Sequence, residues 1–365
     1  MPPEVTRGRL NLLGERLRDL PVALHRTSAY VVSSDRVQTI DLTTGRVRAV
    51  VQPQGKPLRS DGDKDAKAPL VVAGGGGSVL APFLLTEPGS GTHSSSATLE
   101  VVSLSAETGT ASWRTTVRLP EWVTTSYNRV QVSAVGAGSG VAVVAVRDDG
   151  EHAVSYGIDL ATHQLLWMQP DVEVRAVTAG TAAGTAVGLV QVKGGAYEVL
   201  AGYDLANGKE KWRGEESFGT SLDPAGPSLV RARGHLKGEG YDQLVKADTG
   251  EVQQDLPSAL KGMDCSHDQA ETLVCSGPFA VIAVDPASGQ QLWQLRDDQD
   301  GRKAPTVTAV WHGRVYGTAA GGAVALDART GRDMPTRPEA APILVNEFGG
   351  LVLSEGILTS YPAGG

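Results

Sequence analysis

The side chains whose type and spacing invite chemistry are two cysteines, seven histidines, two acidic turns and one aromatic pair. Cys265 and Cys275 flank Ser266-His267-Asp268-Gln-Ala-Glu-Thr272, a spacing that suits adjacent strands of one hairpin. A cross-strand disulfide fits an exported protein and two buried thiols fit a cytosolic one, so both readings stand. Zinc is the poorer fit, because Cys265 and His267 would need Asp264 or Cys275 to complete an unusual ligand set. Asp61-Gly-Asp63-Lys-Asp65 begins like a calcium loop but carries Ala66 and Val72 where that loop needs Gly and Glu. Asp297-Asp298-Gln-Asp300-Gly301 is an acidic turn of the same weak kind. The histidines (His25, His93, His152, His163, His235, His267 and His312) stand one at a time. No Gly-x-Ser-x-Gly, His-Glu-x-x-His or nucleotide-binding pattern occurs. The motifs therefore assign no catalytic residue, no metal and no cofactor, although a set assembled from distant segments stays open.

What would position any such residue is a repeat. Its turn residues are Gly45, Gly109, His163, Gly208, Gly250, Gly289 and Gly331, with a last copy ending at Gly365. Four residues earlier stand Asp41, Ser105, Asp159, Asp204, Lys246, Asp285, Asp327 and Tyr361; four residues later stand Trp113, Trp167, Trp212 and Trp293 in the stronger copies. Gly supplies the positive φ of a tight turn, His is among the residues that tolerate it, and the Asp carboxylate accepts hydrogen bonds from the turn's own amides. The Trp is the large side chain that wedges one unit against the next. A period of about 40–45 residues with several β-patterned runs per unit points to propeller blades.

Ala-Val-Asp285-Pro-Ala-Ser-Gly289-Gln-Gln-Leu-Trp293 and Ala-Gly-Tyr-Asp204-Leu-Ala-Asn-Gly208-Lys-Glu-Lys-Trp212 resemble the PQQ-like β-propeller repeat, in a branch similar to the Bam-complex propeller lipoprotein. The resemblance covers nearly the whole chain and implies the fold, because the shared motif is structural. The quinoprotein dehydrogenases share the repeat but are considerably longer. Many of them hold the cofactor against a vicinal disulfide, whereas the cysteines here are ten residues apart. No cofactor or calcium ligand carries over, and a Bam-type assembly role would require an outer membrane of which the composition gives no sign.

The expected architecture is all-β, a single propeller domain over 1–365 built of four-stranded antiparallel blades. First strands start near Pro21, Pro69, Val130, Val174, Ser221, Gly262, Pro305 and Pro342, which gives eight blades, or seven if 9–20 is an amphipathic helix. Arg9-Leu-Asn-Leu-Leu13 follows Gly8 as a fourth strand follows the turn elsewhere, so the N-terminal strand is expected to join the C-terminal blade and close the ring. Small residues in the first strands suit a crowded axis.

In such a meander the connections after second and fourth strands emerge on one face. The enlargements at 52–68, 86–97 and 118–129 all fall there, and displayed loops are where binding residues concentrate. Within them Glu121, Trp122, Tyr127 and His93 lie outside the repeat pattern and become candidate binding residues, with Asp298 and Asp300 on a smaller insertion of the same face. A Trp placed there serves as an interface anchor or folds back over the channel.

A net charge of −8 argues against nucleic acid or an anionic membrane as partner. No apolar run reaches the roughly 18 residues of a membrane span. The start at Met1-Pro-Pro-Glu suits a cytoplasmic protein, or an extracytoplasmic domain whose signal or anchor lies upstream. The expected function is a monomeric, non-catalytic scaffold recognising a protein, peptide or cell-envelope ligand; the alternative is a small-molecule sensor or enzyme at the channel mouth.

Overall fold

The computed structural model describes residues 4–5, 20–58, 66–73, 77–92, 94–125, 129–150, 152–178, 184–192, 197–297, 301–335 and 338–362. Arg9-Leu-Asn-Leu-Leu13, His93, Tyr127, Asp298 and Asp300 lie outside these residues. The described strands form seven antiparallel sheets, most of them paired in chain order. The first holds β1 (Val22–His25), β2 (Ser28–Ser33), β3 (Arg36–Asp41) and β4 (Val47–Val51). The second holds β5 (Lys56–Pro57), β6 (Leu70–Val72), β7 (Ser78–Glu87), β8 (Ser96–Ser105) and β9 (Ala111–Arg118), followed by the one-turn helix α1 (Trp122–Thr125). The third holds β10 (Val130–Gly138), β11 (Val141–Asp148), β12 (Ala153–Asp159) and β13 (Leu165–Pro170).

The fourth sheet is longer, with β14 (Val172–Thr178), β15 (Thr185–Gln191), β16 (Tyr197–Asp204), β17 (Glu210–Pro224), β18 (Leu229–Leu236), β19 (Glu239–Lys246) and β20 (Val252–Asp255). The fifth has β21 (Asp264–His267), β22 (Leu273–Gly277), β23 (Ala280–Val284) and β24 (Gln291–Arg296). The sixth has β25 (Thr306–Trp311), β26 (Arg314–Ala319) and β27 (Gly322–Asp327), and the seventh has β28 (Leu344–Asn346), β29 (Gly349–Ser354) and β30 (Ile357–Pro362). Second and third strands such as β11 and β12 are buried along almost their whole length, because neighbouring sheets cover both faces. Their sequences are accordingly continuous apolar runs. Fourth strands such as β4 and β13 are largely exposed.

The repeat residues act as their chemistry requires. Asp159 Oδ1 accepts the Ala161 and Thr162 amides at 2.7 Å each, and Asp327 Oδ1 accepts the Arg329 and Thr330 amides at 3.2 and 2.8 Å. Asp41, Asp204 and Asp285 do the same. Each Trp reaches into the next unit: Trp167 Nε1 donates to Leu205 O (2.8 Å), Trp212 Nε1 to Ala247 O (2.8 Å) and Trp293 Nε1 to Ala328 O (2.7 Å). The next unit's turn lies on the indole, so that a Cβ on Gly208 would come within 2.7 Å of Trp167 Cγ. Gly157, opposite Trp167 on β12, opens the other side of the slot. Where the turn residue is His163 (φ 62°), the arrangement changes: the imidazole stacks on Trp113 with ring centres 4.6 Å apart.

Two of the enlargements hold regular structure. Part of the 52–68 enlargement is strand, since Lys56 and Pro57 pair with Thr86 and Leu85 on β7. The 118–129 enlargement contains α1, a single helical turn. Among the described N-terminal residues, Glu4 bridges Thr359 and Val5 N donates to Leu358 O at 2.7 Å, while 9–13 lies outside the described residues. Val5 packs in a cluster that joins Val22 and Ile40 of the first sheet to Leu351 and Leu358 of the last.

Candidate functional site

The three enlargements converge on the second sheet. Gln54 N donates to Glu100 Oε2 (2.7 Å), Arg114 pairs with Glu100 and donates to Gln52 O (2.9 Å), and Leu119 N donates to Ala97 O (2.9 Å). Trp122 on α1 folds back: it is partly buried against the hydrophobic cluster beneath it and stacks on His152 at 5.2 Å. His152 sits in the turn between β11 and β12, so this contact links the enlargements to a neighbouring cleft.

That cleft, of about 460 Å³, is lined by Arg147, Asp148, Asp149, His152, Glu173, Arg175, Glu198, Phe218 and Gly219 among others. It opens on the face of the connections after second and fourth strands. The fully buried Asp148 carboxylate accepts the Gly150 and His152 amides (2.9 and 3.1 Å) and lies 3.0 Å from His152 Nδ1. One imidazole edge is thus fixed by a carboxylate and one ring face by an indole. Glu173 bridges two cations, Arg147 at 3.2 Å and Arg175 at 2.7 Å. Burial opposes the Arg175 charge, yet Glu173, Glu198 and Asp223 outweigh it and hold its pKa above the ordinary guanidinium value.

Beside the cleft the polypeptide makes an exception to the sheet-per-blade pattern. β17 pairs with β16 through its first half and with β18 through its second, so one strand belongs to two successive units. A register shift after Phe218, with Gly219 at φ 61°, bends the strand without ending it. Glu198 Oε2 accepts the Thr220 amide at 3.0 Å and Ser217 Oγ lies 2.7 Å from Thr220 Oγ1, which tie the bend down. Phe218 pairs with Tyr197 on one side and His235 on the other, at ring-centre distances of 6.2 and 6.4 Å. This cross-strand aromatic row is exposed, with Tyr197 53% and Phe218 48% accessible.

Of the candidate binding residues read from sequence, Trp122 is the one among the described residues that the structure ties to the cleft, through His152. Glu121 begins the α1 turn, its carbonyl accepting the Thr124 amide at 3.1 Å. Cys265 and Cys275 are direct cross-strand partners on β21 and β22 and are joined as a disulfide. Beside them Arg231, fully buried, makes a two-point contact with Asp242, donates to Met263 O at 2.9 Å and contacts Cys265 Sγ at 2.6 Å. Sequence reading did not find the cleft or the aromatic row. The available signal was a bulky aromatic at Phe218, where the chain passes from one unit to the next.

Residues 225–347 match the family model described as outer membrane protein assembly factor BamB, about a third of the chain. No curated protein sequence matches. Among solved structures, the Dos1 propeller aligns over 100% of this chain and 95% of its own at 10% identity, with a TM-score of 0.52. BamB from Moraxella catarrhalis aligns over 99% of this chain and 100% of its own at 15% identity, with a TM-score of 0.49. The Neurospora crassa Pan2 WD40 domain aligns over 90% and 86% at 9% identity, with a TM-score of 0.42. At such identities the likeness bears on fold alone. Together with the Asp-turn-Trp repeat and the four-stranded antiparallel sheets, the likeness to the Dos1 propeller makes the fold of this chain a β-propeller.

Proposed function

We propose that the protein is a non-catalytic propeller that binds a protein or peptide partner through the face bearing the cleft and the aromatic row. The observation that carries this is the exposed Tyr197–Phe218–His235 row on a continuous sheet beside a mixed-charge cleft. Large aromatic side chains on a rigid support are what interface hot spots are made of. A photoreactive residue at 218 should give a discrete protein adduct that Tyr197→Ala diminishes. The same residue at 348, in the β28–β29 turn on the opposite face, should give none. Adducts at both positions, or adducts at 218 indifferent to Tyr197, would refute the assignment.

A small-molecule site in the same cleft is the second reading, favoured by the Asp148–His152 pair at 3.0 Å. It predicts a mass that co-purifies in native mass spectrometry and is lost on denaturation or in His152→Ala.

We further propose eight blades. Splitting the seven-stranded sheet at Phe218 gives eight units, closed where residues 4–5 pair with β30 and stapled by the cluster shared by the first and last sheets. Pseudo-eightfold averages in electron microscopy support this count; sevenfold averages overturn it.

A further inference from the structure

We infer that the segment accepted by this face is cationic: a lysine- or arginine-bearing stretch of a partner protein, its charged tip lying over the Phe218 and Tyr197 rings. This rests on the binding reading above and names the partner's chemistry.

Among the described residues the cations lining the cleft are already engaged. Arg147 and Arg175 both pair with Glu173, and Lys237 pairs with Glu215 at 2.7 Å. The carboxylates are in surplus. Glu216 stands two residues before Phe218 in the regular part of β17, where Glu216 and Phe218 oppose Val199 and Tyr197, so it shares a strand face with the ring. Glu216 is exposed, and Asp149 is exposed at the cleft. Among the described residues neither of these two carboxylates has an ion-pair partner within 4 Å. An acidic side chain entering here would meet like charge, and a purely apolar one would leave the carboxylates to be desolvated without compensation. A cation is stabilised twice, by the ring quadrupole and by the adjacent carboxylate. The chain's net charge of −8 extends the attraction beyond contact range at low salt.

The test uses the full chain and three labelled model peptides, alike in their leucines and carrying lysine, glutamine or glutamate at the remaining positions, read by fluorescence anisotropy. The lysine peptide should bind about tenfold more tightly than the glutamine peptide and weaken as salt rises. Phe218→Ala should weaken it at least about threefold and Glu216→Gln about twofold, with the glutamine peptide insensitive to Glu216→Gln. Phe348→Ala should change nothing. Equal or tighter binding of the glutamate peptide, or no binding of the lysine peptide up to millimolar concentration, overturns the inference. If the preference is acidic yet still lost in Phe218→Ala, the binding face stands and only the partner chemistry falls. If Tyr197→Ala and Phe218→Ala leave all three peptides unaffected, the binding face falls too.

Discussion

Gly208 offers a direct test of how the blades are locked together. In Gly208→Ala the new Cβ would lie 2.7 Å from Trp167 Cγ and 2.9 Å from Trp167 Cβ, at φ 70°. Two costs add. The positive φ alone costs an alanine about 1 kcal/mol. Overpacking a closed slot adds about 1–3 kcal/mol, because something must move. The indole has little room to retreat: it is 6% exposed, lies against Gly157, and donates to Leu205 O at 2.8 Å. The expected loss is therefore about 2–4 kcal/mol. Gly219→Ala is the internal control, with φ 61° but nothing within 4 Å of the added Cβ, so only the backbone cost of about 1 kcal/mol applies. The measurement is urea unfolding, scored on the first transition because a repeat array need not unfold in one step. In a Trp167→Ala background the slot is empty and the cost of Gly208→Ala should fall to that of the control. If Gly208→Ala is no worse than Gly219→Ala, or costs the same without the indole, the slot does not lock the blades.

Three further outcomes are expected. Burial opposes ionisation of Asp41, but Thr43 and Arg48 outweigh it and bring its pKa from 3.8 down to about 2. Its stabilisation is therefore complete above the unfolded value and lost as pH falls from about 4 through about 2. After solvent screening it is worth about 1 kcal/mol; Asp41→Asn should flatten that acid limb, and parallel acid curves would refute the account. Arg231→Met leaves Asp242, 13% exposed, without its two-point partner and should cost about 3–5 kcal/mol in chemical denaturation. Adding Asp242→Leu should restore much of this; a double variant no more stable than the single would show that the pair matters for another reason. Replacing Cys265 and Cys275 together by serine should cost about 2–3 kcal/mol, as expected for a ten-residue separation, and reductant should then no longer lower the melting temperature.

The repeat was legible because its chemistry is local. The carboxylate of Asp159, the amides it accepts and the turn they form all lie within four residues, so residue types alone announce them. His163 was legible as a turn residue for the same reason, whereas its stacking on Trp113 from the preceding unit was not. The cleft was illegible for a stronger version of that reason. Arg147 lies on β11, Glu173 and Arg175 on β14 and Glu198 on β16, charged residues on mostly apolar strands that lie far apart in sequence. Only the stacking of neighbouring sheets brings Arg147 to Glu173, and only strand pairing within the fourth sheet brings Glu198 near Arg175. β17 looked like two strands because the Trp212 motif ends one unit and a new hydrophobic run begins near Ser221. Nothing between them forbids extension: there is no proline, and Gly219 supplies a bend instead of a stop.

That continuity has a consequence for binding. An aromatic carried on a loop must be ordered when a partner arrives, which costs about 0.5–1.5 kcal/mol for each immobilised side chain. Phe218 is held before any partner arrives, paired on both sides by β16 and β18 and anchored two residues later by the Glu198–Thr220 contact at 3.0 Å. Trp122 has used its ring differently, packing on the hydrophobic cluster and on His152, so that it supports the cleft wall from behind. The large enlargements around the second sheet therefore buttress one side of the cleft, and the proposed recognition surface falls where two successive units share a strand. Within the repeat, a unit boundary without a break is the feature that sets this face apart from the other junctions between the described sheets.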